Sequence, residues 1–509
     1  MQAQTDKTAF ARFLSTVQLL YCSSFSRSAA WYLRFLGAIY LIAFVSLWVQ
    51  IDGLIGSQGI LPVRQYLAAV HAQLPHSAWW QVPTLCWINS SDACLTIQCA
   101  LGTILSLVAI AGIAQPIALA LLWLLYLSLV SASQQFLGYQ WDCLLLEAGL
   151  LAIFLSPLQW LAWKPTWASP PTIVLWLQRW LIFRLMFLSG IVKLASGDPA
   201  WRNLTALTYH YWTQPLPTWT SWYAAHWPLG FQKFSATFMF IVELGMPLLM
   251  FGPRKLRTVA AAGVIGLQLL ILATGNYGFF NVLAITLCIP LLDDDLLPAP
   301  RPRAAAQTST PRRWSPWVLK PFAAIVLVAT SLQFIRQCGY RQPWPAPLEV
   351  FEETLAPLRS LNSYGLFAVM TIDRPVLIVE GSNDATAWKE YGFRYQSSDL
   401  SSSPQFCTPH MPRLDWQMWF AGLDPGGNSN VLEGLLRGIL HNSKPVLSLM
   451  GRDPFNGHAP KYVRLKMYEY QFTTPTERAQ TGNWWTRTDT GRGSGVYSLG
   501  GAEPGEGSE

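Results

Sequence analysis

The sequence predicts an α-helical polytopic membrane protein of about nine spans, followed by a β-rich extracytoplasmic domain at its C-terminal end. Three observations carry that expectation. Of 509 residues, 51% are hydrophobic and 12% charged, about half the charged share of an ordinary soluble domain. Nine apolar runs approach the roughly 20 residues that cross a bilayer core at about 1.5 Å per residue. After residue 336 those runs give way to short alternating stretches bounded by turn residues, which is how strands read.

Composition excludes several classes at once. With 25 Trp, 18 Tyr and 25 Phe the chain is neither disordered nor collagenous. The net charge of +7 is spread as short basic blocks between apolar runs. Membrane topology accounts for such blocks, and a nucleic-acid partner is not expected. No CxxC and no Cys/His pair at zinc-ligand spacing occurs, so no metal site is predicted.

Residues 1–30 are polar-leaning and contain Lys7, Arg12 and Arg27. No small-residue cleavage site follows the first apolar run, which is therefore read as a retained span behind a cytoplasmic N-terminus. The runs cover 31–51, 94–113, 116–136, 143–163, 173–194, 234–251, 259–273 and 277–292, giving a multispan domain over 31–292. Residues 293–317, with Asp293, Asp294 and Asp295 and then Pro, Ala and Arg, read as a cytoplasmic linker without a fold of its own. The last span is 318–336.

Positively charged loops resist translocation, so Lys and Arg set the orientation. With the N-terminus inside, 13 basic residues lie inside: Lys7, Arg12, Arg27, Arg34, Lys164, Arg254, Lys255, Arg257, Arg301, Arg303, Arg312, Arg313 and Lys320. Only Arg64, Arg202 and Lys233 lie outside. An odd number of spans then places everything after 336 outside. On that side Cys86 could bridge Cys94, and Cys338 could bridge Cys407, since disulfides persist outside the cytoplasm; four free thiols are the competing reading. Cys22 is expected inside, and Cys99, Cys143 and Cys288 within spans. The outer loops 52–93 and 195–233 are rich in aromatics, as an interfacial belt requires.

Ionisable residues within spans cost about 2.5 to 3.5 kcal/mol each and call for partners or a function. Asp142, Glu147, Arg179, Arg184, Lys193 and Glu243 are these residues. Interhelical ion pairs are one reading. The other gives Lys193, in FLSGIVKL near the outer end of its helix, the role of a catalytic base favoured by partial desolvation.

Residues 337–474 form the exterior domain. Val376 to Val379 read as a buried strand and Ser382 to Asp384 as a turn. The run Tyr462 to Phe472 puts Val463, Leu465 and Met467 on one face and Arg464, Lys466, Tyr468 and Tyr470 on the other. A helix is expected over 431–449, capped by Asn428 or Asn430. The polar tail 475–509 is expected to be disordered. No Walker loop, dinucleotide fingerprint, HExxH or GxSxG elbow is present. His410 and Asp415 lack a nearby nucleophile and are read as structural.

Four segments together resemble the lipase maturation factor family: YLRFLGAIYLIAFVSLWVQIDGLIGSQGILP (32–62), QWDCLLLEAGLLAIFLSP (140–157), RLDWQMWFAGL (413–423) and GRDPFNGHAPKYVRLKMYEYQFT (451–473). The resemblance implies a multispan membrane protein whose C-terminal domain assists folding and assembly of secreted lipases, in the endoplasmic reticulum lumen in animals. The short N-terminus and compact length are closer to bacterial members. The implied placement is then a bacterial inner membrane with a periplasmic C-terminal domain. SGIVKLASGDPAW (189–201) is similar to the segment around the catalytic lysine of vitamin K-dependent carboxylases. VEGSNDATAWKEY (379–391) is similar to discoidin-type β-sandwiches, which implies a jelly-roll-like exterior domain and carbohydrate or lipid contact.

Three functions follow, in order. The first is a folding factor whose partners are membrane lipid and a secreted lipase or hydrolase client, held through Trp416, Trp419 and Phe420 or through the Arg464, Lys466, Tyr468 and Tyr470 face. For the Trp-rich cluster, burial in a core is the competing assignment. The second is an intramembrane enzyme using Lys193, and the third a lipid carrier. No cofactor is predicted, and a lipid or quinone-like ligand is left open.

Overall fold

The computed structural model describes residues 24–161, 170–297 and 314–499. Most of residues 1–30, Cys22, Lys164 and the linker arginines Arg301, Arg303, Arg312 and Arg313 lie outside them. Helix α1 (Ser26–Trp48) starts earlier than its apolar run because a distant carboxylate caps it. Asp294 accepts hydrogen bonds from the Ser26, Arg27 and Ser28 amides at 2.8–3.0 Å and from Ser24 Oγ at 2.6 Å. Those amides have no intrahelical acceptor, and a carboxylate there also meets the positive end of the helix dipole. Asp293 pairs with the buried Arg257. The start of the expected featureless linker, residues 293–297, is thus built into the bundle.

Helix α2 (Asp92–Ala111) is capped by Ser91 and ends at Gly112, whose φ of 78° suits glycine. It packs on α1 at Gly102, where an added Cβ would lie 2.3 Å from the Phe44 ring. Helices α3 (Gln115–Ala132) and α4 (Gln140–Leu155) follow, then α5 (Thr172–Ala195). The next run is α6 (Leu229–Phe240), continued through a π-turn at Ile241–Gly245 into Met246–Leu249. Helices α7 (Arg254–Thr274), α8 (Phe280–Cys288) and α9 (Pro316–Gln337) complete the set. Six of these, α1, α2, α3, α5, α7 and α9, are long and apolar enough to cross a bilayer. The other expected runs are helical too, but α4 has 16 residues, α6 is interrupted by its π-turn and α8 is short.

The C-terminal region is an antiparallel sheet with helices. Strands β1 (Pro375–Ser382), β2 (Lys389–Glu390), β5 (Tyr462–Phe472) and β6 (Trp485–Gly493) run in the order β2-β1-β5-β6, while β3 (Gly392–Phe393) and β4 (Met450–Arg452) form a ribbon. Helices α10 (Arg413–Leu423) and α11 (Ser429–Leu440) complete this region, and their residues share one buried core with Leu377, Val379, Val463 and Leu465. On the opposite face Val376, Ile378, Tyr468, Tyr470 and Trp485 make a second cluster. Burial on both faces explains why β1 is a continuous apolar run.

Three expectations are corrected here. The described strands make one four-stranded sheet and a ribbon, not the two facing sheets of a jelly roll, because helices supply the facing layer. The helix expected over 431–449 breaks after Leu440, since Asn442 takes φ 52° and Pro445 follows. The tail is ordered to residue 499: Thr474 and Glu477 form a capping box for α12 (Pro475–Thr481), and β6 pairs with β5 and buries Trp485.

Candidate functional site

Besides Arg257–Asp293, the buried charges of the helical domain form three pairs, two of which reach the C-terminal region. Asp142, in the first turn of α4, takes a bidentate grip from Arg413 at 2.6 and 2.8 Å, and Tyr126 donates to it at 2.6 Å. Both charged side chains are at most 2% exposed. One turn along α4, Glu147 pairs with Arg184 and accepts from Tyr364 Oη at 2.7 Å and the Asn362 amide at 3.2 Å. Lys193 Nζ lies 2.8 Å from both Glu243 oxygens and donates to the Ser189 carbonyl. Arg179 sits over the Phe25 and Trp176 rings.

Further buried polar groups close the joint. Arg374 donates to the carbonyls of Trp212, Gln214 and Pro215, and burial pushes its guanidinium down to about 9. Asn276 accepts from the Cys407 amide at 2.8 Å and donates to the Gln405 and Leu216 carbonyls. Gln50 accepts from the Arg413 amide and donates to the Met411 carbonyl. Ser46 Oγ lies 2.9 Å from His410 Nδ1. Burial pushes His410 down to about 4 and Asp415 up to about 6, the latter against the Tyr395 and Gln396 amides it accepts from. Sequence reasoning missed Arg374, Arg413 and Asn276 because their partners are largely main-chain groups or residues more than a hundred positions away. Arg413, beside the noticed Trp cluster, offered the one visible signal.

The residues expected to meet a client are mostly internal. Trp416 packs edge-on against Trp141 at 4.9 Å, Trp419 donates its indole N–H to the Thr213 carbonyl, and the half-buried Phe420 stacks on Tyr139. Tyr470 is buried against Trp485, and Tyr468 lies beneath Arg487 at 4.6 Å. Burial of Trp416 and Trp419 agrees with the core assignment that competed with client contact, and Tyr468 and Tyr470 of the basic and aromatic face are buried too: large aromatics gain most by burial at the joint and in the sheet. Arg464 and Lys466 remain about one-third exposed, paired with Glu380 and Asp489. The seven described cysteines are thiols. Cys86 and Cys94 each approach the Gln98 amide nitrogen at 3.6 Å, whereas Cys407 is buried and Cys338 exposed. Among the described residues no group of three or more His, Cys, Asp or Glu could hold a metal.

A cavity of about 430 Å³ lies beside the Lys193–Glu243 pair. Its walls come from α5, the segment 201–227, α6 with its π-turn, α7 and α8, with Leu366 and Phe367 contributed from beyond α9. His210 lines it, with Nε2 3.2 Å from Tyr277 Oη; Tyr277 donates to Gln214 at 2.9 Å. Burial and the nearby Lys193 push His210 down to about 4.

Comparison with known families decides the identity. Residues 27–299 match the model described as "Lipase maturation factor transmembrane domain", and residues 360–493 match the "Lipase maturation factor C-terminal domain". The chain is 34% identical to "Lipase maturation factor 2" of Xenopus tropicalis, over 89% of this chain and 80% of that protein. The chain belongs to the lipase maturation factor family. It is also 33% identical to the human "Lipase maturation factor 2" (90% and 80% covered) and 32% to "Lipase maturation factor 1" of Bos taurus (90% and 87%). No solved structure matches. As in that family, this is an integral membrane protein, and its joint pairs residue 142 of the first matched region with residue 413 of the second.

Proposed function

We propose that this chain is a membrane-anchored maturation factor that assists the folding or assembly of secreted lipases or related hydrolases on the extracytoplasmic face of its membrane. The observation that carries the reading is the match of both halves to one family, in a chain whose halves are fixed together by the buried Asp142–Arg413 ion pair and by hydrogen bonds from Tyr364 and Asn362 to Glu147. In this reading nine spans cross the membrane, the N-terminus is inside, and the region from 337 faces the lumen or the periplasm. The excess of basic residues on the inner side supports that orientation.

A client meets the outer surface of the C-terminal region, through the partly exposed Arg464 and Lys466 and the edge of Phe420, with Trp416, Trp419, Tyr468 and Tyr470 holding that surface from beneath. Lys193 is structural in this account, since Glu243 engages it through both oxygens. The test is the specific activity of secreted lipase, per unit of secreted protein, in a host lacking this chain. Loss of specific activity at unchanged secreted mass, restored by the full chain, is expected. Unchanged specific activity in the deletion host contradicts the reading.

A further inference from the structure

We propose that the cavity beside Lys193 is a binding site for an uncharged lipid bearing a free hydroxyl, which enters sideways from the bilayer. This goes beyond the maturation role and does not depend on it. The rim is the first argument. Phe231, Phe234 and Leu270 line the cavity and are 47%, 64% and 57% exposed. They sit on α6 and α7, the latter long and apolar enough to span the membrane, so the entrance lies among surfaces suited to hydrocarbon. A ligand using it must be soluble in the bilayer. The volume of about 430 Å³ falls within the range of small-molecule sites, and the lining is predominantly apolar with a few polar groups.

The polar end selects the head group. Lys193 and Glu243 neutralise each other at 2.8 Å, so the site as a whole offers no net charge to an anionic or cationic head. His210 supplies the specific feature. Gln214 uses its amide N–H groups on the Tyr211 and Thr274 carbonyls, which leaves its oxygen to accept from Tyr277. Tyr277 Oη then accepts from His210 Nε2, which fixes the imidazole tautomer and leaves Nδ1 as an acceptor. That Nδ1 is buried and has no hydrogen-bond partner among the described residues. A buried acceptor without a donor is costly, and a ligand hydroxyl satisfies it.

The test uses the full-length protein in detergent micelles and a diazirine-bearing monoacylglycerol. Crosslinks are expected within residues 227–243 and 267–277. Competition by 1-oleoylglycerol should exceed that by methyl oleate, which has no hydroxyl, or by oleate, by about tenfold, the worth of one hydrogen bond. His210→Phe should make 1-oleoylglycerol and methyl oleate equal competitors. Ser235→Trp, at a partly exposed position of the lining, should abolish labelling while the melting temperature stays that of the wild type. Labelling spread over other helix faces and unaffected by Ser235→Trp overturns the site. Equal competition by methyl oleate in the wild type overturns the hydroxyl assignment, and unchanged lipase specific activity in the deletion host with site labelling intact leaves this proposal standing while sinking the maturation reading.

Discussion

Replacing Arg413 by Met removes two hydrogen bonds of 2.6 and 2.8 Å to Asp142 and one of 3.2 Å to the Phe136 carbonyl. Among the described residues, Asp142, wholly buried, then keeps the side-chain donor of Tyr126 alone. Breaking a buried pair from one side costs about 3–5 kcal/mol, because the remaining charge has nowhere to go. Asp142→Leu alone should cost a similar amount. Combined, the two leave an apolar contact, the Tyr126 hydroxyl without its acceptor and the Phe136 carbonyl without its Arg413 donor, a loss of about 1–3 kcal/mol. The singles therefore exceed the double, the reverse of additivity. Hydrogen exchange of the amides of residues 414–421 reads the opening of α10 directly. Each single should speed it by about two to three and a half orders of magnitude, and the double should recover most of that. Singles that exchange like the wild type, or a double equal to their sum, would refute the claim that this pair holds the halves together.

The remaining predictions concern other parts of the same framework. Burial raises Asp415 to about 6, so its contribution to stability is present below its ordinary value near 4 and is lost as pH rises towards 6. His410, lowered to about 4, works oppositely: its contribution is present above about 6.5 and is lost as pH falls towards 4. Asp415→Asn should gain on the order of 1–3 kcal/mol at pH 7 and lose stability more steeply than wild type between pH 6.5 and 4, as melting curves against pH would record. Lys193→Met should reduce abundance through a stranded Glu243, and adding Glu243→Leu should restore both abundance and lipase maturation; a double variant that is abundant but inactive would mark the lysine as chemically active. Gly434→Ala places a Cβ 2.1 Å from the Ile60 carbonyl oxygen and should cost about 1–3 kcal/mol, whereas Gly230→Ala meets nothing within 4 Å and should be neutral or stabilising, by comparison of melting temperatures.

Hydrophobic run length located the helices well, because it is a local property. It could not tell that α4 is a buried 16-residue helix, nor that a π-turn interrupts the run after Phe240, because both depend on neighbours. The alternation of Val463, Leu465 and Met467 identified β5, yet the opposite face is also buried at Tyr468 and Tyr470. The cause lies in Trp485 of a tail that composition alone makes look disordered. The charges in the spans pointed to buried pairs, but the partner of Asp142 is 271 residues away. Asp294 looked like part of a linker, and its role as the cap of α1 is visible only once the chain has returned to its start.

The central claim is that the intact chain, with its halves locked, raises the yield of active lipase. The most direct measurement is refolding of a denatured secreted lipase beside vesicles containing the full-length protein. Wild type should recover more activity than empty vesicles, Arg413→Met should lose the gain, and the Arg413→Met/Asp142→Leu double variant should regain it. Equal recovery from wild-type and empty vesicles would contradict the claim.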